Sequence, residues 1–236
     1  MLFFTQCFGI TLDLCHLRFR HCKARRVFSA AGQLVCVVHP THSHKGVPAV
    51  YGASHTSIEK QKTDTFHSQN QQTSIQCLWL SCNWEGSLEA VVPHVSQSHR
   101  VTIFQGAEVV LMATDIHFTE AEDWTIVQSC HGHHFLLVLR KQEKHEGHIQ
   151  FFATVMLVGT PCQAENFTYR LELSRNKRRL KWEATPRSVL EGVDSIIRDN
   201  DGLVFNESLA YLFSDNGILA LSVTVSTGKH SVQNDS

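Results

Sequence analysis

Apolar residues from position 101 onward recur at period two in short runs, and each run ends at a turn signal. The runs cover 101–104, 108–114, 124–130, 134–140, 149–158, 167–173, 180–184, 203–205 and 218–225. Between them stand Gln105-Gly106, Glu146-Gly147, Ser174-Arg175-Asn176 and Asp215-Asn216-Gly217. Period two places alternate side chains on opposite faces of a strand, and closely spaced turns join neighbours in antiparallel order. The pattern predicts an all-β antiparallel sandwich over 101–228, followed by a polar tail at 229–236. Two interruptions read as helical. Thr185 as N-cap with Pro186 at the first helical position predicts a three-turn helix through Val189, Val193, Ile196 and Ile197, ending before Asp199-Asn200. A shorter turn falls at 208–213.

The text upstream is of another kind. Phe4, Phe8, Leu12, Cys15 and Phe19 stand at helical spacing with arginines between them, which predicts a basic amphipathic leader over 1–38. Residues 39–76 are polar with no repeated apolar face and read as a mostly disordered linker. His39, His42 and His44 in that tract read as solvated. An acid-poor, arginine-bearing amphipathic start, with Arg26-Val27-Phe28-Ser29 in the style of a matrix-protease site, predicts a mitochondrial address, and otherwise a cytoplasmic one.

Composition sharpens this division. The chain has 236 residues, Lys+Arg 21 against Asp+Glu 22, and 42% apolar residues. Its net charge of −1 is a cancellation: Arg18, Arg20, Lys23, Arg25, Arg26 and Lys45 against Asp13 put residues 1–50 at +5 and leave the rest at −6. Neutrality removes the simplest electrostatic case for nucleic-acid binding. The leader's apolar spacing is that of an amphipathic helix and not of a transmembrane one. The cysteine count of 8 is too low for a disulfide-stapled miniature scaffold, whereas Cys with His at ligand spacing signals zinc.

Cys77-x4-Cys82-x11-His94-x4-His99 has that spacing. Two thiolates on a turn and two imidazoles on a helix make a closed tetrahedral site, with no position left for water. The site is therefore structural, one zinc in a small finger over 77–100. Ser87 is the candidate cap of the helix that carries both His, and Pro93 a candidate bend. DNA-reading fingers project Arg, Lys, Asn or Gln from the start of the helix. This helix offers Glu89, Ala90 and Val91, so nucleic acid is excluded as a partner. Lys177-Arg178-Arg179 reads as a solvated hairpin tip. Cys130-His131 has the residue types of a nucleophile and base, but neighbours on a strand face opposite ways, and Cys130 reads as a small buried hydrophobe.

The segments WEGSLEAVVPHVSQSH, DWTIVQSC, HHFLLVLRKQEKHEGHIQFFATVMLVGT, ENFTYRLEL, RRLKWEATPRS and ESLAYLFSDNGILAL closely resemble the seven-in-absentia family of ubiquitin ligases, over about 77–227. Within it they look most like the member that lacks a RING domain. The resemblance implies a TRAF-like eight-stranded sandwich that binds degradation targets, one strand fewer than the nine runs above, with preceding zinc fingers of the family type, and a dimer. It also implies a groove that takes an extended peptide of Val-x-Pro form beside an exposed strand. Carried over by position, that groove falls on Thr102, Phe104, Ala121, Asp123, Trp124 and Ile126, with Trp124 as the aromatic anchor. Phe104, Glu122 and Ile126 depart from the family pattern, which has Leu, an apolar residue and Met there.

A complete ligase of the family has a RING, and its paired zinc sites need about eight Cys or His ligands. Upstream of Cys77 stand Cys7, Cys15, Cys22 and Cys36, with no C-x2-C pair among them. The expected function is therefore that of an adaptor of the ubiquitin–proteasome pathway. It would bind client peptides and modulate their stability, without autonomous ligase activity and with no catalytic residue of its own. Conjugating enzymes would be reached only indirectly, through a homodimer or a heterodimer with a RING-containing relative. The competing expectation is a client-sequestering protein, mitochondrial or cytosolic, that acts without ubiquitin.

Overall fold

The computed structural model describes residues 74–78, 82–118, 121–143 and 147–228, and of the first 73 residues the backbone of five short strands. Those are β1 (Gln6–Cys7), β2 (Ile10–Thr11), β3 (Ala24–Phe28), β4 (Leu34–Val38) and β5 (Thr41–His42). The zinc-finger stretch follows with β6 (Ile75–Gln76), β7 (Glu85–Gly86) and α1 (Leu88–Ser98). Then come β8 (Ile103–Gln105), β9 (Glu108–Ala113), β10 (Glu122–Cys130), β11 (His133–Glu143), β12 (Ile149–Leu157), α2 (Pro161–Ala164), β13 (Phe167–Arg175) and β14 (Arg178–Ala184). The chain continues with β15 (Arg187–Ser188), α3 (Val193–Arg198), β16 (Leu203–Asn206), α4 (Glu207–Phe213), β17 (Ser214–Asp215) and β18 (Ile218–Thr227).

Two sheets face each other. One runs β15-β12-β11-β10-β5, with β16 on β12 and β8 on β10; the other runs β14-β13-β18-β9-β4-β3, with β17 on β18. The interior is read directly from the period of two. Trp124, Ile126, Phe135, Leu137, Leu139, Phe151, Ala153, Val155 and Leu157 from the first sheet meet Leu111, Tyr169, Leu171, Leu173, Leu221 and Val223 from the second. On β13 and β18 the alternate residues are polar (Arg170, Glu172, Ser222, Thr224), so that sheet keeps one face toward solvent.

The first sheet is covered on both faces. Val127, Leu136, Val138, Phe152 and Met156 point away from the interior and pack with Ile75, Val91, Val95, Val189, Val193 and Ile196. This second core explains why HHFLLVL and QFFATVML are nearly continuous apolar runs and not alternating ones. It also fixes the finger: α1 lies on the outer face of the sheet with Val91 and Val95 inward.

All nine predicted strands are present within a few residues of their expected ends. Three of the turns between them are two-residue hairpins with both central residues at positive φ: His131-Gly132 (51° and 73°), Asn176-Lys177 (50° and 63°) and Asn216-Gly217 (48° and 77°). That is the twist-matched hairpin geometry, which favours Asn and Gly. Lys177, Arg178 and Arg179 are exposed at such a tip, as expected.

Two expectations need correction. Thr185-Pro186 does not open a three-turn helix. Arg187–Ser188 pairs with β12 instead, and Ser188 caps a single 3-10 turn, Val189–Glu191, in a reciprocal capping box with Glu191. Gly192, at φ 76°, then breaks the backbone before α3. The leader is the other correction: its described residues are extended, not helical. β3 and β4 form an antiparallel hairpin (Ala24↔Val38 through Phe28↔Leu34), and β4 adds in parallel to β9 (Val35↔Val110 through Val38↔Ala113). LVCVV carries three β-branched valines, and an open sheet edge supplies ladder partners that an isolated helix lacks. Within the stretch read as disordered linker, Thr41–His42 pairs with β10. The remainder of 1–73, including His39 and His44, lies outside the described residues.

Candidate metal centre and sheet-edge groove

The ribbon β6-β7 (Ile75↔Gly86, Gln76↔Glu85) is closed by the Cys77 amide donating to the Trp84 carbonyl at 3.0 Å. Cys77 and Cys82 sit on the loop so formed. His94 projects from α1 and His99 is its C-cap, with its amide still bonded to the Val95 carbonyl at 3.2 Å. Pro93 is accommodated inside the helix, and Ser87 is its N-cap by position, though without a side-chain capping bond.

The four predicted ligands come together, one donor atom from each within 4.8 Å of the rest. His94 Nε2 lies 3.2 Å from Cys77 Sγ, 3.5 Å from Cys82 Sγ and 3.2 Å from His99 Nε2, and His99 Nε2 is 3.2 Å from Cys77 Sγ. A ring nitrogen has one in-plane direction, for one proton or one lone pair, so it cannot hydrogen-bond three partners at once. A central cation satisfies all of them. Zinc bond lengths of about 2.05 Å to nitrogen and 2.3 Å to sulfur imply tetrahedral edges of roughly 3.3 Å between nitrogens and 3.6 Å between nitrogen and sulfur. The observed separations fit within a few tenths of an ångström.

The surroundings favour the ligand state. Burial pushes the His94 imidazole below its ordinary value, toward the neutral form that binds metal. The Trp84 ring stacks on His94 at 4.1 Å and 4°. That indole lies where a side chain on residue 86 would be: a Cβ there would come within 2.3 Å of its ring, so only glycine fits. Four protein donors would fill a tetrahedral shell and leave no position for water, and two of them sit on or beside α1, which packs on the sheet.

The candidate groove residues divide into two groups. Phe104, Trp124 and Ile126 belong to the sandwich interior with no exposed surface. The Trp124 indole N–H donates to the Thr114 carbonyl at 3.1 Å, and its ring lies 6.4 Å from that of Phe151. Trp124 is therefore a core residue here and presents no anchor face to a ligand. The physical reason is the strand period: Trp124 and Ile126 occupy the inward positions of β10, and Phe104 the inward position of β8. Thr102 is half-buried, Ala121 exposed, and Asp123 half-buried against β11. What β10 offers a ligand is backbone. Its outer edge pairs with β5 at Glu122–Asp123 and with β8 at residues 127–129. Residues 124–126 between them have no strand partner on that side among the described residues.

Several neighbours were not found from the sequence. Arg140, across from Asp123 on β11, grips its carboxylate with two bonds of 2.8 and 2.9 Å and reaches Asp194 on α3 at 3.1 Å. Cross-strand register is the only signal that would have revealed this fork. Lys141 is also buried, opposite Glu122; its Nζ donates to the Ile116 carbonyl at 2.8 Å and to that of Phe118. Cys130 is half-buried, and burial pushes its thiol up to about 11, away from the reactive thiolate form. His131 occupies the hairpin turn, its Nε2 3.0 Å from the Val225 carbonyl.

A β-sandwich with a two-Cys, two-His cluster that could hold a metal ion on one outer face defines a TRAF-like module preceded by a candidate zinc finger. The Sina, TRAF-like domain family matches residues 128–224. Among curated proteins, Seven in absentia homolog 3 of Homo sapiens is 55% identical over 257 aligned positions, covering 95% of this chain and 96% of that one. The E3 ubiquitin-protein ligase SIAH2 of Homo sapiens is 57% identical over 155 residues, covering 65% of this chain and 48% of the ligase. The E3 ubiquitin-protein ligase sina of Drosophila melanogaster is 49% identical over 180 residues, covering 75% and 57%. The chain belongs to the seven-in-absentia family. It spans about half the length of the two ligases.

Proposed function

We propose that the protein is a client-recognition adaptor of the ubiquitin pathway. It binds an extended segment of a target protein along the outer edge of β10 and alters the target's stability. The observation that carries this reading is the gap in that edge: among the described residues β10 is flanked on its outer side by the short strands β8 and β5, with 124–126 left between them. An extended peptide laid there gains ladder hydrogen bonds, and pockets beside the strand select its side chains, which is strand addition. Peptides of Val-x-Pro form are the proposed class. The relatives supply the pathway, since two of them are ubiquitin ligases. With no C-x2-C pair in the sequence, ubiquitin transfer is assigned to a RING-containing partner, reached through dimerisation.

The test is fluorescence anisotropy with a labelled Val-x-Pro peptide. The wild-type chain binds it, and Thr102→Lys with Ala121→Asp, both away from the core, weakens binding at least tenfold while the melting temperature moves little. Unchanged binding by the double variant overturns the groove. In a reconstituted transfer assay, ubiquitin reaches the client only when a RING-containing relative is added; transfer by this chain alone overturns the adaptor role. Mitochondrial placement is proposed from the basic leader, within residues 1–50 at +5. A reporter fused to residues 1–40 tests it, and a diffuse cytosolic signal unmoved by Arg25→Glu with Arg26→Glu removes it.

A further inference from the structure

The edge assigned to client peptides is already partly taken by the chain itself. β5 pairs antiparallel with β10, His42 opposite Glu122 and Thr41 opposite Asp123. Three residues earlier, β4 is in register with β9 of the other sheet, ending at Val38↔Ala113. β4 and β5 are thus tied one to each sheet, and at β10 β5 uses the ladder positions that an incoming strand would need.

Residues 124–126 alone are a short landing site: at about 3.3 Å per residue, three residues give roughly 10 Å of ladder. A client strand of ordinary length must extend over Glu122 and Asp123. It then displaces β5, because a strand edge accepts one partner at a time. We propose that the segment 34–42 is an intramolecular competitor for the client site, a tethered strand that must leave β10 before a client peptide binds fully. This rests on the client-binding reading above and adds a regulatory element to it.

The arrangement suits a competitor better than a permanent strand. β5 makes two residue pairs with β10, while β4 makes four with β9 and five with β3. β4 can therefore stay in place and keep β5 near the site after it lets go. A tethered strand works at an effective concentration of order 1 mM. With an intrinsic affinity of about 0.1 mM it keeps the edge roughly nine-tenths closed, and opening the edge then raises apparent client affinity about tenfold.

The experiment uses the full zinc-loaded chain. Thr41→Pro with His42→Pro removes both backbone N–H groups of β5 and leaves β10 untouched. Labelled Val-x-Pro peptide is titrated against wild type and variant, and hydrogen exchange over 34–42 is followed in the wild type with and without saturating unlabelled peptide. The proposal expects about tenfold tighter binding by the variant, and faster exchange at 41–42 of the wild type on peptide addition. Equal or weaker binding by the variant, with exchange at 41–42 unmoved in the wild type, overturns the competitor and leaves client binding standing. If neither protein binds the peptide, the client-binding reading fails and takes this proposal with it.

Discussion

Replacing Trp124 by alanine separates two roles for the most prominent aromatic residue of β10. Its side chain has no exposed surface, it packs with Phe151 and its neighbours in the sandwich interior, and its indole N–H is bonded to the Thr114 carbonyl. Truncating a fully buried tryptophan leaves a cavity and costs about 3–5 kcal/mol. The Thr114 carbonyl also loses its indole partner, so the upper part of that range is expected. At about 2–4 °C per kcal/mol for a chain of this size, the melting temperature falls by roughly 6–20 °C. Thermal unfolding of the zinc-loaded protein, followed by near-ultraviolet circular dichroism, reads this directly. Trp124→Phe keeps most of the volume and should cost less than half as much. A Trp124→Ala protein that melts within about 2 °C of wild type would refute the core assignment, and would restore Trp124 as a surface anchor held in place only by its ligand.

Further predictions follow from the second core and from the buried polar groups. Removing the metal with a chelator, or changing Cys82→Ser, should release α1 and uncover the outer face of the sheet around Val127, Leu136, Val138 and Met156; the mass spectrum loses one zinc per chain and a hydrophobic dye binds. Lys141→Met removes the donor to the Ile116 and Phe118 carbonyls and the cation facing buried Glu122. It should cost about 3–5 kcal/mol in urea unfolding, with Glu122→Val recovering part of the loss. Cys130, with its thiol pushed up to about 11 by burial, has roughly one thiolate in a thousand at pH 8. An alkylating reagent at that pH should therefore label exposed Cys162 and leave Cys130 unmodified until the protein unfolds. The same shift stabilises the fold below about pH 9, and that contribution is lost as pH rises from about 9 through about 11.

Local patterns carried most of the fold. The period of two and the Asn-Gly or Asn-Lys turns gave the sandwich strands, because each such signal is satisfied by neighbours a few residues away. The metal ligands were legible for the same reason: Cys77, Cys82, His94 and His99 are spaced so that one loop and one helix bring them together. Contacts between distant segments left no trace in spacing. The leader reads as an amphipathic helix on its own, whereas its described residues 34–38 are strand, because β9 presents an edge to Val35–Val38 some 75 residues away in sequence. In the same way, inherited position placed Trp124 in a groove, whereas its inward position on β10 puts it in the interior. Arg187 shows how a local signal can mislead. Thr185-Pro186 has the form of a helix start, yet Arg187 pairs with β12 and reaches Glu191, Asp199 and Asp201, which favours a bend over a continuous helix.

Residue-resolved amide hydrogen exchange of β10 probes the proposed docking edge itself. With saturating Val-x-Pro peptide, exchange should slow at outward-directed amides within 122–126 and change little on β13 and β14 of the opposite sheet. Protection gained elsewhere, for example over α3, with β10 unaffected, would contradict it.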